Sequence, residues 1–161
     1  MVFAQRTDVA IDIDGWNAHA MRFFATRLGF AEPPHAGASP ATRGHGEDLT
    51  AEAVNGSAMT ARFVVAPEGD TPGIRAAFVR LRDDQDLALA EAADARVGPT
   101  GLALVARRCC AVWLVERTSS DDRIALRLAT VLASILLGPI LDTTAGELFG
   151  VKTARQKLSA A

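Results

Sequence analysis

The chain has 161 residues and a mass of 17.0 kDa, which is room for one domain of ordinary size. Apolar residues make up 49% and charged residues 22% of it, a balance that excludes intrinsic disorder and favours a packed core. The formal net charge of -2 lacks the broad positive field on which non-specific nucleic-acid binding depends, so a nucleic-acid partner is not expected.

The start of the chain is predicted to form a strand followed by a helix. Residues 8–14 alternate polar and apolar side chains, a period of two that is typical of a strand with one apolar face. The next segment carries apolar side chains at helical spacing. Asp14 or Asn17 could cap the start of this helix, and Gly29 is placed to end it.

The middle of the chain contains a predicted loop, two strands and a helix. Residues 31–46 are rich in proline, glycine and small side chains, a composition that predicts a loop. Strands are predicted at 59–66 and 74–81, and a helix at 86–97. The segment 101–109 is compatible with either a strand or a short helix.

The last third contains the clearest element, a helix predicted from 121 to 137. Its polar side chains form one narrow stripe, so we expect the rest of its circumference to be buried. A strand at 111–116 precedes it, a short strand at 140–141 follows it, and 152–161 is predicted to be a surface tail. The stripe consists of Arg123, Arg127, Thr130 and Ser134.

Together these elements indicate one α+β domain over residues 1–161. We expect a mixed β-sheet of about five to seven strands with three main helices. The longest apolar run, 128–141, is shorter than the roughly twenty residues that span a bilayer, so no membrane partner is expected. The adjacent Cys109 and Cys110 are expected to be reduced thiols of a cytoplasmic protein. The scarcity of lysine among the 17 basic residues is typical of a GC-rich bacterial genome.

Asp12 and Asp14 are the candidate catalytic residues. The segment Asp12-Ile13-Asp14-Gly15 resembles the DxDG motif of haloacid-dehalogenase-type phosphatases, but the lysine and the later acids of that chemistry are missing. The segment IDGWN also resembles the opening of the NYN branch of PIN-like nucleases. That resemblance implies a metal held by Asp14 with partners among Asp86, Asp121 and Asp122. Alternatively, these aspartates cap or begin helices.

A longer resemblance covers residues 8–30, with the sequences AMRFF and RLGF. It is similar to the first β-α unit of the vicinal-oxygen-chelate superfamily, which includes glyoxalases and bleomycin-resistance proteins. The resemblance implies a curved sheet around a cavity and a divalent metal bound by side chains on strands. Asp8 or Asp12 takes the place of the usual first histidine ligand, and His19 is expected to point into the same cavity.

Two further groups of polar residues are candidate binding sites. His45-Gly46-Glu47 resembles the His-x-Glu of zinc deaminases, although Cys109 and Cys110 have the wrong spacing to complete that site. His45 and Glu47 are therefore candidate metal ligands in a loop. That loop site would also include His35 and Asp48. An anion or partner patch is predicted at Arg80, Arg82, Arg107 and Arg108, unless these arginines form ion pairs with nearby acids.

No complete set of catalytic residues emerges from these patterns. The leading hypothesis is therefore a small bacterial ligand- or protein-binding domain without catalysis or cofactor, with homodimerisation as one option. The first alternative is a metal-dependent enzyme or binding protein of the vicinal-oxygen-chelate kind. The second is a carboxylate-cluster nuclease of the NYN/PIN-like kind, and both alternatives require a divalent metal.

Overall fold

The computed structural model describes residues 1–5, 11–36, 59–119 and 122–160, with the backbone alone at 32–36. The described residues form seven strands and five helices. In chain order they are β1 (Val2–Ala4), α1 (Ile13–Phe24), β2 (Thr26–Ala36), β3 (Met59–Pro67), β4 (Gly73–Leu81), α2 (Asp84–Val97), α3 (Leu102–Arg108), β5 (Ala111–Val115), α4 (Arg123–Leu136), β6 (Ile140–Asp142), β7 (Glu147–Phe149) and α5 (Val151–Ser159).

The strands form one sheet in the order β2-β3-β4-β5-β1-β6-β7, which confirms the predicted α+β class. Every strand pairing in the described part of the chain is antiparallel, in place of the expected mixed pairing. The three-residue β1 lies in the middle of the sheet, where Val2 is opposite Trp113 on one side and Ile140 on the other. The chain therefore brings its first strand between two strands that come more than a hundred residues later.

Side chains alternate across the sheet and build a core on each face. Val2 and Ala4 point to the face covered by α1 and α4, where Trp16 stacks on Phe63 at a ring distance of 6.3 Å. Phe3 points to the opposite face, where it packs with residues of α2 and α3. The two helical layers consequently lie on opposite faces of the sheet.

The long helix α4 confirms the prediction for 121–137 to within two residues, apart from residue 121, which lies outside the described part. Asp122 caps its start by accepting a hydrogen bond from the Ala125 backbone N–H at 2.9 Å. Leu137 adopts a left-handed conformation with φ of 56° and ends the helix. Eight of its side chains are buried, which confirms that most of the circumference is covered. Thr130 of the predicted polar stripe is among them, and its hydroxyl donates to the Leu126 carbonyl at 2.7 Å.

The predicted strand at 8–14 is wrong where the structure describes it. Ile13 begins helix α1, and Asp12 caps that helix by accepting from the Gly15 N–H at 3.0 Å. The helix is favoured over a strand here because the Asp12 carboxylate accepts from an N–H group that would otherwise have no partner at the start of the helix. Residues 6–10 lie outside the described part, and the first strand is β1.

The predicted end of this helix at Gly29 is also wrong. The helix stops at Phe24, where Ala25 turns into the left-handed region, and Gly29 lies inside β2. Asn17 accepts a hydrogen bond from the Leu28 N–H at 2.9 Å, so it holds the returning strand and does not cap the helix.

The predicted loop at 31–46 begins later than expected because β2 continues through Ala36. This strand lies at the edge of the sheet, and its register against β3 shifts on both sides of Glu32. The second shift spans Pro33 and Pro34, which have no N–H to donate to the ladder. Residues 37–46 lie outside the described part.

The other predicted elements agree with the structure. Strands β3, β4 and β5 and helix α2 match their predicted ranges to within two residues, and 140–141 is a strand. The ambiguous segment 101–109 is a helix, α3. The predicted tail forms helix α5, which is anchored because the Ala154 side chain is fully buried. In the described part, no helix has the length and hydropathy needed to span a membrane.

Candidate functional site

The candidate residues Asp12, Asp14 and His19 do not form a common site in the described part of the chain. Asp12 and Asp14 lie exposed at the start of α1, where Asp12 serves as the helix cap. His19 lies between α1 and α4, with its Nε2 2.9 Å from the hydroxyl of Ser134. Burial lowers the pKa of His19, and the positive charge of Arg22 lowers it further. Outside the described part lie Asp8, His45, Glu47, Asp48, Asp121 and the side chain of His35.

The sheet separates Asp86 from the other described aspartates proposed as metal ligands. Asp14 belongs to α1 on one face, whereas Asp86 belongs to α2 on the other. Asp86 is paired with Arg80, whose two Nη atoms lie 2.6 and 2.8 Å from its carboxylate oxygens. Within the described ranges, no three His, Cys, Asp or Glu side chains lie close enough to hold a metal ion.

The predicted arginine patch is largely engaged in contacts inside the molecule. Arg80 forms the ion pair with Asp86, and Arg82 donates to the Cys109 carbonyl at 2.8 Å. Arg107 pairs with Glu91 at 2.6 Å. Arg108 is exposed on α3. Three of the four arginines therefore stabilise the α2–α3 layer.

A cavity of about 310 Å³ opens at one end of the sheet. Because β1 runs antiparallel to both of its neighbours, the start of β1 lies beside the ends of β5 and β6. The first turns of α4 and one side of α5 lie over this sheet end and close the cavity. Six separate stretches of the chain therefore contribute to its wall: residues 1, 115–117, 122–129, 140–143, 149 and 157.

The inner wall of the cavity is apolar. It combines strand side chains with the face of α4 that is turned toward the sheet, including Ala125 and Ala129, which are small enough to leave space. Phe149 of β7 supplies an aromatic surface at the side. Other apolar side chains in the wall are Val115, Leu126 and Ile140.

The mouth of the cavity carries positive charge. Arg117 pairs with Asp142 at 2.8 Å, and Lys157 pairs with Glu147 at 2.6 Å while lying 5.1 Å from the centre of the Phe149 ring. Burial by itself would raise the pKa of Asp142, but hydrogen bonds from two backbone N–H groups and the charge of Arg117 lower it, so this carboxylate stays ionised.

Arg123 differs from the other two cations in the cavity. Its Nη2 donates to the Leu158 backbone carbonyl at 2.5 Å, and no described carboxylate forms an ion pair with it. The neighbouring Asp122 is not available to Arg123, because its two oxygens already accept from Arg75, Thr118 and the Ala125 N–H. Among the described residues, the half-buried Arg123 therefore lines the cavity without an ion pair of its own.

Sequence patterns did not indicate this cavity. Arg123 was recognised only as part of the polar stripe of a buried helix, and no local motif connects it with Arg117, Phe149 or Lys157. Comparison with protein-family models, with curated proteins and with solved structures gave no match.

Proposed function

We propose that this protein is a small-molecule-binding domain whose cavity takes an organic anion with an apolar body. The supporting observation is the combination of an apolar inner wall with three cations at the mouth, Arg117, Arg123 and Lys157. Its volume of about 310 Å³ lies at the lower end of the range of pockets that bind small molecules. A medium-chain carboxylate has the size and the polarity that this shape accepts.

The chemistry of Arg123 supports an anionic head group. A planar guanidinium binds a carboxylate through two parallel hydrogen bonds, and such charge-assisted bonds are stronger than neutral ones. Since its guanidinium donates to a backbone carbonyl and forms no ion pair within the described residues, Arg123 can turn its other donors toward a ligand without breaking an ion pair. Arg117 and Lys157 already form ion pairs with Asp142 and Glu147, so they would have to divide their N–H donors between those acids and the ligand. Arg123 is therefore the proposed anchor of the head group.

The apolar wall supports the rest of the ligand. Ala125, Ala129 and Phe149 together offer surface on which an alkyl chain or a ring loses contact with water. Burial of each methylene group contributes about 0.8 kcal/mol. This proposal is a specific form of the ligand-binding hypothesis, and neither metal-dependent alternative gains a ligand set from the described residues.

Isothermal titration calorimetry with octanoate, octanamide and octylamine tests the proposal, because the three probes share one chain and differ in head-group charge. We expect octanoate to bind and octylamine to fail. Arg123→Ala should weaken octanoate binding about tenfold or more, the cost of losing a charge-assisted hydrogen bond. Arg108→Ala is the matched control, since Arg108 is an exposed arginine on the opposite face.

A second arm locates the ligand. Ala129→Leu fills the inner wall and should abolish octanoate binding, whereas Lys152→Ala should leave it unchanged because Lys152 lies on the outer side of α5. Circular dichroism verifies that each variant is folded. Equal binding of all three probes, or equal loss in the Arg108 and Arg123 variants, would contradict the proposal.

A further inference from the structure

The mouth of the cavity carries one carboxylate whose two oxygens differ in their partners. Asp142, the last residue of β6, lines the cavity, and its side chain is 24% exposed. Its Oδ1 accepts from Arg117 at 2.8 Å and from the backbone N–H groups of Thr144 and Ala145 at 3.0 and 3.2 Å. No described residue donates to Oδ2. The bonds that fix this side chain in the described part of the chain therefore all fall on one oxygen.

The second oxygen of Asp142 is in contact with solvent. Among the described residues that are not exposed, Nε of Arg127 is the one side-chain N or O atom that is fully buried without a hydrogen-bond partner. Since Oδ2 of Asp142 also lacks a partner in this part of the chain, it is not fully buried, and water can satisfy it. A ligand that fills the cavity beside Asp142 takes the place of that water.

Asp122, the other carboxylate in the described wall of the cavity, has no such free oxygen. Its Oδ1 accepts from Arg75 and the Ala125 N–H, and its Oδ2 accepts from Arg75 and Thr118. Groups of the protein thus occupy both oxygens. Asp142 is consequently the one carboxylate of the described wall with an oxygen that a ligand can use.

The charge state of Asp142 determines which ligand group it can bind. Because the carboxylate is ionised, it accepts hydrogen bonds and donates none, so it binds an O–H or N–H group and repels a second carboxylate. Its charge is already paired with Arg117, so a neutral donor such as a hydroxyl is sufficient. A ligand without a donor displaces the water and leaves Oδ2 unsatisfied, which weakens binding.

We propose that the cavity takes a hydroxylated organic acid, whose carboxylate binds Arg123 and whose hydroxyl donates to Oδ2 of Asp142. The hydroxyl contact rests on the proposed function, because it adds a second polar group to the same ligand. Arg123 and Asp142 both line the cavity, and Asp142 is paired with Arg117 at its mouth. We therefore expect the hydroxyl near the carboxylate end of the ligand, with the rest of the chain against the apolar wall around Ala129.

Isothermal titration calorimetry with octanoate and with its 2-hydroxy, 3-hydroxy and 8-hydroxy derivatives tests this contact. The 2-hydroxy or the 3-hydroxy acid should bind about tenfold more tightly than octanoate, the gain expected from a hydrogen bond to a charged acceptor. The 8-hydroxy acid should bind more weakly than octanoate, because its hydroxyl would be buried against the apolar inner wall. A gain from neither the 2-hydroxy nor the 3-hydroxy acid, or an equal gain from the 8-hydroxy acid, would overturn the inference.

Asp142→Asn changes the atom that the hydroxyl is expected to contact. The amide oxygen can still accept from the two backbone N–H groups of the turn, whereas an NH2 group takes the place of Oδ2. The preference for the hydroxy acid over octanoate should fall to roughly threefold or less, since a charged acceptor is lost. Circular dichroism verifies that the variant is folded.

Glu147→Gln is the matched control. It also removes an acid that pairs with a cation of the mouth, Lys157, but Glu147 does not line the cavity. The preference for the hydroxy acid should therefore persist in this variant. A preference that survives in Asp142→Asn, or that is lost equally in both variants, would overturn the inference.

Octanoate separates the hydroxyl contact from the proposed function. If octanoate binds through Arg123 and a hydroxyl adds no affinity, the hydroxyl contact alone is wrong. If none of the four acids binds, the proposed function is wrong and the hydroxyl contact with it.

Discussion

The guanidinium of Arg75 holds both carboxylate oxygens of Asp122, with Nε 2.7 Å from Oδ2 and Nη2 2.9 Å from Oδ1. This pair joins β4 to the start of α4 across 47 positions of the chain. The Asp122 carboxylate also accepts from the Ala125 N–H and from the Thr118 N–H, so it caps α4 and ties its start to Thr118. One carboxylate thereby sets the position of the helix that forms the inner wall of the cavity.

Replacement of Asp122 by Asn should destabilise the fold strongly. The Asp122 side chain is 1% exposed and that of Arg75 is 15% exposed, so the variant leaves a largely buried guanidinium without its partner. Breaking such a pair costs about 3 kcal/mol or more. Urea denaturation measures the free energy of unfolding, with Asp12→Ala as the control. Asp12 is an exposed cap, and its loss should cost only about 1 kcal/mol.

Stability should fall when the pH falls below about 4. Burial would raise the pKa values of Asp86 and Asp122, but hydrogen bonds from Arg80 and Arg75, together with backbone N–H groups, lower both from the ordinary 3.8. The unfolded chain therefore binds protons that the folded chain does not, and stability is lost as pH falls through the folded pKa values. Unfolding followed between pH 2 and 7 measures this slope. The slope should be shallower in Asp86→Asn, and an unchanged slope would contradict the assignment.

Gly138 should not tolerate a side chain. A Cβ atom at this position would lie 1.9 Å from the carbonyl oxygen of Phe3, which belongs to the central strand. Gly138→Ala must displace backbone and should lower the melting temperature, with a cost of at least about 2 kcal/mol. Gly29→Ala is the matched control. It lies in extended backbone with open space around it, so its stability should be unchanged or raised by about 0.5 kcal/mol.

The two neighbouring cysteines should react very differently. Cys109 is buried, its thiol donates to the Val105 carbonyl, and burial raises its pKa to about 11. Cys110 is exposed. Because the thiolate is the reactive form, a disulfide reagent at pH 8 should label Cys110 rapidly and Cys109 only on unfolding. Cys110→Ser should abolish the rapid phase and Cys109→Ser should keep it; rapid labelling of Cys110→Ser would contradict the described burial.

Sequence patterns located the elements whose signals are strong and local. Helix α4 has a long apolar run followed directly by Gly138 and Pro139, and the structure places it within two residues of the predicted 121–137. The failures lie where two local signals compete. Before α1, the alternation at 8–14 predicted a strand, but the Asp12 carboxylate starts a helix at Ile13. After it, Ala25 takes the left-handed conformation that glycine usually supplies.

The cavity could not be predicted in the same way. Arg117 follows β5 and Lys157 lies on α5 after β7, so the order β5-β1-β6-β7 brings them to one cavity. This long-range pairing leaves no local trace in the sequence. The sequence allows two roles for Arg80, an anion patch or an ion pair with a nearby acid. The structure shows the ion pair, with Asp86.

The place of β1 also fixes the order in which this protein can be completed during translation. Ala4 and its partner Ala111 are 107 positions apart, so β1 leaves the ribosome long before either neighbour exists. Until then β2, β3 and β4 can pair only among themselves, with the β4 edge open. The middle of the sheet can consequently form only after β5 and β6 have been made, around a segment made long before.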